Sequence, residues 1–188
     1  MNNKKELRDK YKKLRAGISE GDRDQMSMDI ANQVLQLDIW KYDYYHIFLP
    51  IKRLREINTE YLLSILSGKD KNILISTSNF ETMEMKQYLL TDNTKLVENT
   101  LGIPEPIGGI ELPNTVTQVV FIPLLCYDTK GNRVGYGKGF YDRFLANCKP
   151  EVQKIGLSFF EPEITSIRSN TEDIKLNYCI TPKKRYKF

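Results

Sequence analysis

The sequence predicts an α/β fold, a mostly parallel central sheet with helices on both faces in three layers, built as one domain over residues 1–188. Two observations carry that expectation. Short β-branched and aromatic runs alternate along the chain with segments of helical periodicity. In the strand expected at 118–122, Val119-Val120-Phe121-Ile122 is apolar without a break, as in a parallel strand covered on both sides. No internal repeat and no linker divides the chain.

Leu7, Tyr11, Leu14 and Ile18 follow helical spacing from Lys4 to about Gly17. Ser19 followed by Asp22 has the form of a capping box, opening a second helix that carries Met26, Ile30, Val34 and Leu37. Residues 45–49 read as a strand ending at Pro50. A charged loop follows, then a helix capped by Thr59 and stopped by Gly68. Residues 72–77 form the next strand, and the weak alternation of 83–90 suits a hairpin or edge strand. Glycine and proline make 101–113 an ordered loop, as they do not fit a regular element. Beyond the central strand come a loop at 127–138, a helix at 139–146 and strands at 154–158 and 178–181, the last stopped by Pro182.

The net charge of +4 is unevenly placed. Lys4, Lys5, Arg8, Lys10, Lys12, Lys13 and Arg15 crowd the first helix, and Lys183, Lys184, Arg185 and Lys187 the last residues. Such runs are either solvated faces or surfaces for anions. The longest apolar stretch, 119–127, is too short to span a bilayer, and the charged start has no signal-peptide apolar region, so a cytoplasmic protein is expected. Cys126, Cys148 and Cys179, widely spaced beside a single histidine, indicate neither a disulfide framework nor a zinc site.

The most informative segment is the loop closing at Asp142. Gly135, Gly137 and Gly139 alternate around Lys138 between a strand and a helix. Glycines let backbone N–H groups approach an anion, and a helix start adds partial positive charge. The spacing is neither Walker A nor GxGxxG, and alone it also fits a tight turn. Arg133 and Lys138 bring charge that a plain turn would not need, and Asp142 stands where a carboxylate could face Mg²⁺.

Over its whole length, 131–142 resembles the loop of the 5-formyltetrahydrofolate cyclo-ligase family, written there GxRLGxGxGYYD. The resemblance continues in Lys4-Lys5-Glu6-Leu7-Arg8 (KxxLR), Phe48-Leu49-Pro50 with Glu56-Ile57-Asn58-Thr59, Ile103-Pro104-Glu105-Pro106, Gly156-Leu157-Ser158-Phe159 (GLAF) and Glu172-Asp173-Ile174-Lys175. It implies the sheet architecture shared with sugar-phosphate isomerases and CoA transferases. It also implies ATP-dependent closure of 5-formyltetrahydrofolate, with or without a polyglutamate tail, to 5,10-methenyltetrahydrofolate, ADP and phosphate.

By that resemblance Lys4, Lys5, Arg8, Arg133, Val134, Gly135, Tyr136, Gly137, Lys138, Gly139, Phe140, Tyr141 and Lys175 contact ATP. Leu49, Glu56, Glu105, Tyr136, Gly137, Lys138, Gly139 and Phe140 contact folate. Lys138 and Arg133 are the expected catalytic cations, and Asp142 and Asp173 the Mg²⁺ ligands. A monomer binding MgATP and folate, with neither nucleic acid nor membrane, is expected. Asn177, Pro162 and Leu124 depart from the family's usual Asp, Gln and Gly. The rival readings are a nucleic-acid-binding module using the basic ends, and a sugar-phosphate or CoA protein of the same fold.

Overall fold

The computed structural model describes residues 3–188; Met1 and Asn2, which open the charged start, lie outside the described residues. Its helices are Lys4–Ala16 (α1), Glu20–Val34 (α2), Glu60–Gly68 (α3) and Phe140–Ala146 (α4). Its strands are Tyr44–His46 (β1), Asn72–Asn79 (β2), Glu84–Leu89 (β3), Leu96–Glu98 (β4), Pro104–Pro106 (β5), Glu111–Leu112 (β6), Val119–Pro123 (β7), Cys126–Tyr127 (β8), Arg133–Val134 (β9), Gln153–Leu157 (β10), Tyr178–Ile180 (β11) and Arg185–Lys187 (β12).

An eight-stranded sheet runs in the order β12-β11-β10-β7-β1-β2-β3-β6. Its inner strands β11, β10, β7, β1 and β2 pair in parallel, while β12, β3 and β6 join antiparallel at the edges. The alternation along β7 shows why the centre reads as unbroken apolar sequence. Val119 and Phe121 face one core with Ile30 and Val34 of α2 and Leu62 and Leu66 of α3. Val120 and Ile122 face the other with Phe144 and Leu145 of α4. Helix α1 lies on neither face; its Leu7 and Tyr11 pack on Leu125, Cys126, Val134 and Ile167 in a satellite core.

The capping expectation holds in part. Ser19 Oγ accepts from the Asp22 N–H at 3.1 Å and donates to the Asp22 carboxylate at 2.6 Å, so the reciprocal bond goes to the hydroxyl. Helix α2 ends at Val34, short of Leu37. Thr59 does not cap α3 through its side chain: its hydroxyl donates to the Phe48 carbonyl at 2.9 Å, and Asn58 Oδ1 takes the Glu60 N–H at 3.1 Å. The glycine-rich 101–113 segment contains β5 and β6. Prolines are tolerated in β5 because it pairs only with β4, and β6 lies at the sheet edge. The basic tail is not a free arm but β12, with Arg185 bonded to Gln33 at 2.6 Å. Leu124 fills the space a Cβ on Gly156 would need, at 2.6 Å, so that departure is matched by a neighbouring glycine. Asn177 accepts the Lys154 N–H at 2.9 Å, which joins β10 to the chain entering β11. No helix among the described residues is long and apolar enough to cross a membrane.

His46 is fully buried beneath α4, its ring 4.7 Å from that of Phe144. Nε2 has only a 3.4 Å contact with Ser76 Oγ and Nδ1 has no partner. Burial therefore depresses its pKa from 6.5 to about 3. Below pH 6.5 the unfolded chain takes up a proton that folded His46 refuses until about pH 3, so this residue's contribution to stability falls as pH falls. The expected outcome is that wild type loses about 1.4 kcal/mol per pH unit relative to His46→Phe between about pH 6 and 5. Urea unfolding of both proteins measures it; a constant difference contradicts it.

Candidate active site

A cavity of about 1030 Å³ opens at the carboxyl ends of the parallel strands, where Phe48 and Leu49 follow β1, Ser76 and Ser78 close β2 and Pro123 ends β7. Sheets of this kind bind ligands at that edge. Pockets for small ligands run to about 300–1,000 Å³, and this space lies at the top of that range.

The glycine loop forms one wall. Gly137 and Gly139 have φ of 91° and 72°, a region L side chains avoid, and Gly139 turns directly into α4. A Cβ at Gly137 would also crowd the Arg8 guanidinium, lying 3.0 Å from its Cζ. Arg8 Nε donates to the Gly135 carbonyl at 3.1 Å, which fastens α1 to the loop. Lys138 at the loop tip and Arg8 both line the cavity, and among the described residues neither has a carboxylate partner.

Deeper in, cations and carboxylates are already paired. Lys4 Nζ lies 2.5 Å from Asp173 Oδ2, which also accepts the Asn170 N–H at 2.5 Å. Burial alone would raise the Asp173 carboxyl. Lys4, the Asn170 N–H and the charge of Arg133 overrule it and hold the group below the ordinary range. Arg133 pairs with Asp142 Oδ1 at 2.7 Å and donates to the Ile174 carbonyl, while the Ile174 N–H donates to the same Asp142 oxygen at 3.0 Å. Oδ2 of Asp142 and Oδ1 of Asp173 accept no hydrogen bond among the described residues.

Glu56, only 3% exposed, also lines the cavity and is bonded to the glycine loop. Oε2 accepts the Ile51 N–H at 2.7 Å and Oε1 accepts the Tyr136 hydroxyl at 2.5 Å. Burial lifts the Glu56 carboxyl above the ordinary range, against the opposing pull of Ile51, Tyr136 and Arg15. Phe80 meets Phe140 edge-on at 5.0 Å, and with Met85 and Leu49 they give apolar walls for flat rings.

The description of the 5-formyltetrahydrofolate cyclo-ligase family matches residues 1–182. The chain belongs to that family. It is 29% identical over 180 residues to the 5-formyltetrahydrofolate cyclo-ligase of Haemophilus influenzae, covering 92% of this chain and 94% of that one. The Escherichia coli K12 enzyme of the same name is 33% identical over 133 residues, covering 69% and 73% of the two chains. The 5,10-methenyltetrahydrofolate synthetase of Aquifex aeolicus superposes with a TM-score of 0.77 at 25% identity, covering 98% of this chain and 92% of that one. The Mycoplasma pneumoniae synthetase, at 16% identity and a TM-score of 0.74 over 95% and 98%, shows the shared fold.

Most positions carried over from the family converge on the one cavity. Lys4, Arg8, Leu49, Glu56, the whole stretch 133–142 and Asp173 line it. Three others do not reach its lining. Lys5 is exposed, one residue round the helix from Lys4. Lys175 is exposed beyond Ile174, whose backbone takes the inward position. Glu105 in β5 spends its carboxylate on the Ser78 N–H at 2.7 Å, which ties the β4–β5 arm to β2. Tyr141 is held against His46 and Phe144 at 5.8 and 6.3 Å, a packing role as well as a wall. Reasoning from sequence missed Ser76, Ser78, Phe80 and Arg53 in the lining, which sit on elements with no motif. It also missed Arg15, although Lys4, Arg8, Tyr11 and Arg15 form one stripe at helical spacing.

Proposed function

We propose that the chain closes 5-formyltetrahydrofolate to 5,10-methenyltetrahydrofolate at the expense of ATP, with ATP and folate meeting in this single cavity. The observation that carries the reading is what one cavity lining brings together: the cations Arg8 and Lys138 beside a glycine loop, and a buried carboxylate with aromatic and apolar side chains. A triphosphate suits the cations and the glycine loop, and a heterocycle with N–H donors suits the carboxylate and the apolar side chains.

A formamide oxygen is a poor leaving group, so the reaction needs that oxygen converted to a phosphate ester. The formyl oxygen attacks the γ-phosphorus and ADP leaves. N10 then attacks the iminium carbon and gives up its proton, which leaves with the departing phosphate as the five-membered ring closes. The protein's part is positioning and charge compensation. Lys138 and Arg8 meet the phosphates, and the backbone of 135–139 approaches them closely because the glycines leave room. Lys4 and Arg133 exchange their carboxylates for phosphate oxygens, which frees Asp173 and Asp142. Glu56 accepts N–H donors of the pterin, and Phe140, Phe80 and Leu49 flank its ring.

Asp142 and Asp173 suit Mg²⁺. Each keeps one carboxylate oxygen without a protein donor, and the described residues hold no cluster of three or more His, Cys, Asp and Glu. Mg²⁺ takes one or two carboxylates and completes its octahedron with phosphates and water. Bound there it offsets the charge of the phosphates. We propose that the enzyme works as a cytoplasmic monomer, on folates with or without a polyglutamate tail, and without nucleic acid.

The near-ultraviolet absorbance of methenyltetrahydrofolate reports the reaction directly. It should rise when the protein meets 5-formyltetrahydrofolate and MgATP, and fall in rate by about a hundredfold in Lys138→Ala and Asp142→Ala. No ATP-dependent rise from folded wild type would overturn the reading. The Lys4–Asp173 pair gives a second expectation. Asp173→Asn releases Lys4, so metal-free ATP should bind more tightly than to wild type while MgATP binds more weakly. Calorimetric titrations with and without a chelator measure both, and parallel weakening would contradict the exchange of partners.

A further inference from the structure

Along the inner stripe of α1, Lys4 and Arg8 reach the cavity, but Arg15 stops behind its wall, 6% exposed. Its Nη1 donates to the Tyr136 hydroxyl at 2.6 Å and its Nη2 to the Leu124 carbonyl at 2.5 Å, while Nε has no partner. A guanidinium can only donate. The Tyr136 oxygen must therefore accept from Arg15, and its one proton is left for Glu56 Oε1, 2.5 Å away. The chain Arg15, Tyr136, Glu56 thus has a fixed direction, and it ends on a carboxylate in the cavity lining.

We propose that Arg15 is a positioning residue which orients the Tyr136 hydroxyl and so holds the Glu56 carboxylate as acceptor for the N–H edge of the substrate's heterocycle. This rests on the cyclo-ligase reading above. A carboxylate has about four acceptor positions. The Ile51 N–H and the Tyr136 hydroxyl use two of them, which leaves capacity for a bidentate donor edge.

Charge supports the geometry. The ionisable groups facing Glu56 are Arg15 from α1, Tyr136 from the glycine loop and Tyr141 from α4, while Arg23 of α2 donates to its main-chain carbonyl at 3.1 Å. Burial lifts the Glu56 carboxyl, and Arg15 is the cation among the groups that oppose it. Without Arg15 the carboxyl holds its proton to higher pH and loses acceptor capacity.

The test is binding of 5-formyltetrahydrofolate across a pH series, with MgATP titrated separately, for wild type, Arg15→Met, Arg15→Lys and Tyr136→Phe. In Arg15→Met the folate Kd should rise about tenfold at neutral pH and the acid limb of binding should move up by about one pH unit. MgATP affinity should hold. Arg15→Lys should return part of the loss. Tyr136→Phe keeps the Arg15–Leu124 bond, so it carries the test if Arg15→Met does not fold, and it too should weaken folate. An unmoved acid limb with unchanged folate Kd, or equal loss of folate and MgATP at every pH, would overturn the inference. A wild type that binds MgATP but no folate would sink the functional reading, and this inference with it.

Discussion

Helix α1 has no sheet face on which to bury its apolar edge. Leu7 and Tyr11 find cover on Leu125, the β8–β9 hairpin, Phe160 and Ile167, each side chain contributing roughly 1.5–3 kcal/mol of burial. That one seat places Lys4 against Asp173, Arg8 against the Gly135 carbonyl and Arg15 against Tyr136. The glycine loop, the late acidic segment and the first helix lie far apart in sequence, and this docking is what makes them one wall. Glycine supplies the loop's unusual backbone but no rigidity, so the loop depends on Arg8 and Arg143 for its shape.

The second consequence concerns charge. A cavity proposed to take polyanions must gather cations, and partly buried cations are costly without partners. Lys4 and Arg133 are held by Asp173 and Asp142. The acceptors that neutralise them are the same carboxylates proposed above for Mg²⁺. Lys138, exposed at the loop tip, needs no such partner because water solvates it.

The sequence shows the layers well where periodicity is long. The apolar run of β7 and the Ser19 cap translate directly into structure, because one local rule decides each, whereas of the α1 stripe Leu7 and Tyr11 are buried and Leu14 stays exposed. The strands Leu96–Glu98, Cys126–Tyr127 and Arg133–Val134 escape notice, since two or three residues have no period to read. Thr59 resembles a cap, but a tertiary bond to Phe48 claims its hydroxyl. Within the site, most motif positions line one cavity, while Lys5, Lys175 and Glu105 fall off the lining because a motif does not record which way each side chain turns. The sequence marks Arg15 as part of the basic run and inner stripe of α1 but not its role, because its partner Tyr136 stands 121 positions away.

The central claim is chemical: the cavity brings the formyl oxygen and the γ-phosphorus together so that the oxygen leaves as phosphate. One turnover with 5-formyltetrahydrofolate carrying oxygen-18 in the formyl group tests it. The account predicts that the label appears in inorganic phosphate, in amounts equal to the methenyltetrahydrofolate formed. Unlabelled phosphate beside fully formed product would mean that the oxygen leaves by another route, and the account of the site would be wrong.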